Sequence, residues 1–303
     1  MKTIVILAIL ATGAFAFFQD GPQPPPRGQV QSARPNLHVE SNLVLVPVNV
    51  VDQRNHPITG LEKENFRVFD DGARRAITAF AMQDEPVAIG LIFDHSGSVS
   101  GIRRNEAETV RTFLKTSHPE DEYSLISFAD SPKVAVPLTS GNEEVRYQVL
   151  TTKWGGSTAL FDGVILGLHE LKKSKLSRKA LLVVSDGGEN NSRYNRRDLE
   201  KVIEESDALI YTIGLHSSQA DFPLLKWMAD VSGGTAIKAE AEGLPDIAAK
   251  VALELRNCYV LGFSASDVPR DGRLHRLRVQ LITPRGLTPL KASWRHSYRA
   301  PAD

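Results

Sequence analysis

Val87-Ala88-Ile89-Gly90-Leu91-Ile92-Phe93-Asp94-His95-Ser96-Gly97-Ser98 is the stretch whose reading decides the fold. The unbroken apolar run from Val87 to Phe93 reads as a strand buried on both faces, as in a parallel sheet covered by helices. It ends abruptly on a carboxylate, followed by two hydroxyls around a glycine. Ligands of open α/β sheets collect at the carboxyl ends of the strands, and Asp94, Ser96 and Ser98 fall at such an end.

Downstream, strands and helices alternate. Helical spacing after Gly101 puts Ala107, Val110 and Leu114 on one face, and Tyr123 to Phe128 reads as a strand. A strand near Val134 to Leu138, a helix from Leu160 to Leu171 and a strand from Ala180 to Ser185 come next. A helix over Arg197 to Glu205, a strand over Leu209 to Leu215, a helix near Pro223 to Val231, a short strand at Thr235 to Lys238 and a helix from Leu244 to Leu255 complete the series. This order implies an α/β, Rossmann-like sandwich with a mostly parallel central sheet and helices on both faces.

The flanks read differently. Val44, Val46, Val48 and Val50 alternate along one strand, and Pro47 places that strand at a sheet edge. Asn55-His56-Pro57 reads as a turn, Phe66 to Phe69 as a strand, Asp71-Gly72 as a hairpin turn, and Ala76 to Phe80 as a third strand. After the last helix only strands return: Tyr259 to Phe263, Leu277 to Leu281 and a segment around Ala292 to Tyr298. Neither flank alone buries an adequate face, so the economical arrangement is one small β-sandwich made of both, with the α/β domain inserted; two separate β-appendages are the alternative. The expected divisions are 1–16 as leader, 17–37 as linker, 38–84 as N-terminal β-region, 85–256 as α/β domain and 257–303 as C-terminal β-region packing with 38–84.

Met1-Lys2 and the apolar run Ile4 to Phe18, with Ala14-Phe15-Ala16, have the pattern of a cleavable secretory signal, which implies a secreted, periplasmic or envelope location. The run is shorter than the roughly 20 residues of a membrane span, so no span is expected in the mature chain. Pro22, Pro24, Pro25, Pro26 and Pro35 mark an extended tether. With 36 basic and 36 acidic residues among 303, no net field favours nucleic acid. Cys258 is the single cysteine, so an intramolecular disulfide is excluded.

The Asp-x-Ser-x-Ser run, Thr158 within Gly155-Gly156-Ser157-Thr158, and Asp186 after the strand ending at Ser185 together resemble the metal-ion-dependent adhesion site of von Willebrand factor type A (VWA) domains. The likeness covers roughly Val87 to Leu255. The leader, Asp70-Asp71-Gly72 and the tail from Asn257 to Phe263 with Asp271-Gly272 look more loosely like exported bacterial VWFA-related proteins of the Acidobacteria type.

The resemblance implies that Ser96 and Ser98 hold a divalent cation directly, that Thr158 does so in the ligand-competent state, and that Asp94 and Asp186 act largely through water. Mg²⁺ is the expected ion, with Mn²⁺ and Ca²⁺ as alternatives, because such cations take oxygen ligands and retain waters. A shell rich in neutral hydroxyls leaves residual positive charge for a partner's Asp or Glu. The expected function is therefore divalent-cation-dependent protein binding.

His95, expected to be exposed, Trp154 and Glu189 are candidates for the rim around the partner. Packing under the loop is the alternative for Trp154, and helix capping or surface solvation for Glu189 and Asp162. No Gly-x-Ser-x-Gly elbow, phosphate-binding loop or His-x-x-x-His pair is present, so the chain is not expected to be an enzyme. A metal-dependent hydrolase and an envelope assembly subunit remain the alternatives.

Overall fold

The structure is a computed structural model that describes residues 43–149, 154–217, 220–286 and 289–300. The expected leader and proline-rich tether lie outside the described residues.

The chain starts in the flanking strands β1 (Leu43–Val51), β2 (Phe66–Asp70), β3 (Ala73–Arg75) and β4 (Ala79–Gln83). The β2–β3 hairpin turns through Asp71 at φ +46° and Gly72 at φ +84°. Two successive positive φ values give the primed turn that Asp-Gly favours. The expected strand at Ala76 to Phe80 is instead split, because Ala73–Arg75 closes the hairpin while Ala79–Gln83 crosses to the other sheet.

The inserted α/β domain follows. Its strands are β5 (Val87–Asp94), β6 (Glu122–Phe128), β7 (Pro132–Ser140), β8 (Arg178–Ser185), β9 (Ala208–Leu215) and β10 (Ala236–Ala239). Its helices are α1 (Glu106–Phe113), α2 (Glu143–Gln148), α3 (Leu160–Leu171), α4 (Arg196–Glu204), α5 (Phe222–Ser232) and α6 (Leu244–Arg256). The sheet runs β10-β9-β8-β5-β6-β7, parallel throughout except for the antiparallel β7.

Alternation along β5 sorts the two faces. Ile89, Leu91 and Phe93 join α1 and α6, through Val110, Phe113, Ala248 and Val251. Ala88 and Ile92 pack with Val164 and Leu168 of α3, Ile203 of α4 and Met228 of α5. The helix expected directly after Gly101 begins instead as a 3-10 segment over Gly97–Arg104. Helix α2 was not expected, and it buries only Val145.

The chain then returns through β11 (Cys258–Ser264), β12 (Leu274–Leu281), β13 (Lys291–Trp294) and β14 (Ser297–Arg299). These interleave with the first strands as two sheets, β13-β1-β11-β4 and β14-β12-β2-β3. Val46, Val48, Val68, Leu261, Phe263 and Val279 form the core between them. The small sandwich is thus built from both ends of the chain around the insertion.

One expectation about β1 needs correcting: it is an inner strand, flanked by β11 and β13. Its pairing with β13 begins only at Val48, so Pro47 lies where that side of the strand has no ladder to break. The proline marks half an edge.

Among the contacts that join the sandwich to the domain, two are buried. Gly233, at φ +83°, caps α5, and a Cβ there would stand 1.5 Å from the Trp294 carbonyl oxygen of β13. Asn49 of β1 donates to the Tyr211 hydroxyl of β9. Beside Tyr211 lies Glu254 of α6, 1% exposed, whose Oε1 has no hydrogen-bond partner among the described residues. Burial pushes its carboxyl from 4.5 up to about 7, against hydrogen bonds from Tyr211 and Thr235.

A side chain at position 233 would have to displace backbone. Gly233→Ala should therefore cost about 2 kcal/mol or more in urea unfolding, and a loss under about 0.5 kcal/mol would refute the junction. Glu254 binds its proton more tightly folded than unfolded. Its stabilising contribution is complete below pH 4.5 and disappears as pH rises through about 7. Unfolding free energies of Glu254→Gln and wild type should accordingly diverge in the variant's favour over that window, by on the order of 2 kcal/mol, and a pH-independent difference would contradict the burial.

Candidate metal site at the carboxyl edge of the sheet

Strands β5 and β8 are neighbours, so Asp94 and Asp186 leave the sheet at one edge, where the strand order reverses direction. Asp94 is fully buried. Its Oδ1 accepts from the Ser96 backbone N–H at 2.9 Å, and its Oδ2 accepts from Ser185 Oγ at 2.6 Å. Asp186 is equally buried, its Oδ1 accepting from the Gly188 N–H at 2.8 Å and its Oδ2 from Ser217 Oγ at 2.5 Å. Burial raises the Asp94 pKa and the charge of Asp186 raises it further, while hydrogen bonds from Ser185 and Ser96 oppose the shift. Two buried carboxylates at close quarters are an unfavourable pair that a cation relieves.

Backbone hydrogen bonds clamp the three loops together. Gly97 N–H donates to the Gly156 carbonyl at 3.2 Å, Gly155 N–H to the His95 carbonyl at 2.8 Å, and His95 N–H to the Phe128 carbonyl at 2.8 Å. Gly155 and Gly156 sit at φ +121° and +104°, and a Cβ on Gly156 would meet the Asp130 carboxylate at 2.6 Å. Asp130 in turn accepts from the Ser157 N–H at 2.7 Å, which fixes the approach to Thr158. Asn190 Oδ1 accepts from the Thr158 N–H at 2.9 Å, and the Thr158 carbonyl accepts from the N–H groups of Asn190 and Asn191.

Ser96 Oγ and Ser98 Oγ are 3.2 Å apart. Adjacent ligands of an octahedral ion at about 2.1 Å are separated by about 3.0 Å, so the pair has the spacing of one coordination edge. The donor set, all oxygen, with hydroxyls and carboxylates, suits a hard divalent cation rather than a softer metal.

The rim residues fare differently. His95 is buried, not exposed: its Nε2 lies 2.7 Å from Glu106 Oε1 and its ring meets Trp154 edge-on at 4.4 Å between centroids. The reason is Glu106 on α1, a buried acceptor that gives the imidazole a place inside. Trp154 is partly buried against the same core. Glu189 accepts from the Phe161 N–H at the start of α3, at 2.9 Å, and from Ser192 Oγ at 2.7 Å, so its carboxylate caps a helix. Asp162 is also buried, and it holds the following loop through Arg193 and Tyr194.

Sequence patterns missed Ser185, Ser217, Asn190, Asp130 and Glu106. Each is a single polar residue that gains meaning only from the loop it reaches. Only the position of Ser185, beside the expected ligand Asp186, offered a clue.

Residues 89–189 match the von Willebrand factor type A domain family. An uncharacterized protein of Synechocystis is 28% identical over 170 residues, 52% of this chain and 36% of that protein. One from Borreliella burgdorferi is 25% identical over 115 residues, 37% of this chain and 33% of that protein. The chain spans about a third of the length of these curated relatives. Among solved structures, a von Willebrand factor type A protein from Catenulispora acidiphila superposes with a TM-score of 0.52 at 12% identity, covering 78% of this chain and 73% of that one. The family match and the shared fold fall on the doubly covered parallel sheet and its clamped loops: the chain carries a von Willebrand factor type A domain.

Proposed function

We propose that the clamped loops hold a divalent cation, Mg²⁺ in the first instance, through Asp94, Ser96, Ser98, Thr158 and Asp186, and that the site captures an acidic side chain of a protein partner. The observation that carries this reading is the coincidence of a buried carboxylate pair with a hydroxyl pair at coordination spacing. VWA domains generally mediate protein–protein interaction or adhesion, and they are typically non-enzymatic. A bound divalent cation supplies positive charge and an open ligand position for a carboxylate.

The residues around it do the rest. Ser185 and Ser217 fix the carboxylate rotamers of Asp94 and Asp186, while Gly155 and Gly156 keep the loop beside the serines free of side chains that would obstruct an incoming group. His95 acts from below, holding the loop against α1.

The setting proposed for this capture is the cell envelope or the exterior, reached through the N-terminal leader. Among the described residues no helix is long and apolar enough to cross a membrane.

Calorimetric titration of Mg²⁺, Mn²⁺ and Ca²⁺ into the chelator-treated chain tests the ion. Ser96→Ala should weaken Mg²⁺ binding by more than the roughly 10- to 100-fold typical of residues outside the coordination sphere, and Asp94→Ala by at least about tenfold. Equal affinities in both variants and wild type would remove the site. Capture of a partner from envelope extract should vanish with chelator and in Ser96→Ala. Capture that persists in both would leave the cation without a role in binding.

A further inference from the structure

At the turn of the β2–β3 hairpin, far along the chain from the VWA loops, Asp70, Asp71 and His275 bring one ligand atom each to within 4.8 Å of one another. His275 comes from β12, which pairs with β2, so strand register rather than a loop sets the meeting. His275 Nδ1 stands 3.3 Å from Asp70 Oδ1 and 3.0 Å from Asp71 Oδ2.

The remaining carboxylate oxygens are engaged elsewhere. Asp70 Oδ2 accepts from Arg75, with Nη2 at 3.0 Å and Nε at 3.3 Å, and Asp71 Oδ1 accepts from the Arg276 backbone N–H at 2.8 Å. Each carboxylate is therefore oriented by one oxygen and presents the other to the imidazole, the arrangement in which outer partners aim monodentate ligands.

Short distance has not produced hydrogen bonds here. Asp70 is 1% exposed and His275 8%, and Asp70 Oδ1 and His275 Nδ1 both lack a hydrogen-bond partner among the described residues. The Tyr298 hydroxyl, also buried, faces Asp70, and its ring lies against His275 at 5.3 Å between centroids. Buried polar atoms are nearly always satisfied, and an ion is one of the few explanations for two facing orphans, Asp70 Oδ1 and His275 Nδ1.

The spacing is informative as well. Ligands about 2.0–2.1 Å from a tetrahedral zinc ion are separated by about 3.3 Å, close to the two separations from His275 Nδ1. Asp71 is 54% exposed at the side chain, so the fourth position would face solvent.

We propose that Asp70 Oδ1, Asp71 Oδ2 and His275 Nδ1 form a second metal site, for a divalent transition cation, with zinc the best match to one imidazole nitrogen and two carboxylate oxygens. It differs in chemistry from the all-oxygen site of the VWA loops, where no imidazole is offered. It stands independently of that site and would tie the hairpin turn to β12.

The test uses the full-length chain carrying Asp94→Ala, so that uptake at the VWA loops does not count. Zn²⁺ is titrated calorimetrically after chelator treatment, and Co²⁺ is followed by visible absorption, which is intense for tetrahedral sites. Zn²⁺ should bind, and Asp71→Asn and His275→Gln should each weaken it at least about tenfold and abolish the Co²⁺ band. Asp71→Asn keeps the turn, because asparagine tolerates the left-handed conformation and its side-chain oxygen still accepts from Arg276. Absence of Zn²⁺ uptake in the Asp94→Ala chain, or uptake unchanged by both further substitutions, would overturn the proposal and leave the trio as a polar cluster without an ion.

Discussion

Everything at the carboxyl edge depends on the parallel pairing of β5 with β8. Their register sets Phe93 opposite Val184, so the next residues, Asp94 and Ser185, emerge side by side and form a buried 2.6 Å hydrogen bond. A slip of one residue would turn each side chain to the other face and break the pair. The ladder resists slipping because both faces are covered: Leu91 and Phe93 are buried under α1 and α6, and Ile92 under α3. The same rigidity holds Asp94 where burial and Asp186 oppose its ionisation. Core packing thus maintains an electrostatic arrangement that those residues would not adopt in a compliant loop.

What the sequence discloses follows from how local each cause is. Leu160–Leu171 is legible to the residue, because Leu160, Val164, Leu168 and Leu171 recur at helical spacing and are all buried. The Asp71-Gly72 turn is legible because its backbone requirement is written in the two residues that meet it. Helix α2 is not, since Glu143-Glu144-Val145-Arg146-Tyr147-Gln148 buries one valine and so shows no periodicity. The burial of His95 is illegible for another reason: it depends on Glu106, a charge that reads as the first turn of a solvated helix until α1 is packed. The five proposed ligands could be named from the chain, whereas the residues that orient them could not, because Ser217 and Asn190 act across loops of unrelated sequence.

The two proposed sites contrast in how they are assembled. The proposed VWA-loop site would gather hydroxyls and carboxylates from two strand ends and the loop before α3, stitched by backbone hydrogen bonds, so its ligand shell could adjust without unpairing the sheet. Asp70 and His275 sit on adjoining strands of an antiparallel ladder, two residues out of direct register because Asp70 pairs with Leu277, and their separation is fixed by strand geometry. A site of the first kind tolerates exchange between direct and water-mediated contacts. One of the second kind holds its ligands rigidly and suits a structural ion.

The insertion itself has an energetic consequence. The chain enters the α/β domain from β4 and leaves it into β11, and those strands are paired, with Gln83 opposite Cys258. The ends of the domain are therefore held about 4.8 Å apart across one ladder for as long as the sandwich is folded. Closing a loop of 100 residues by a covalent cross-link removes about 5 kcal/mol of unfolded-state entropy in the chain-entropy model. The β4–β11 ladder acts on the inserted domain in the same sense, though only while the sandwich persists. Stability of the sandwich and of the carboxyl edge are thereby coupled, and this coupling enters through the unfolded state of the domain.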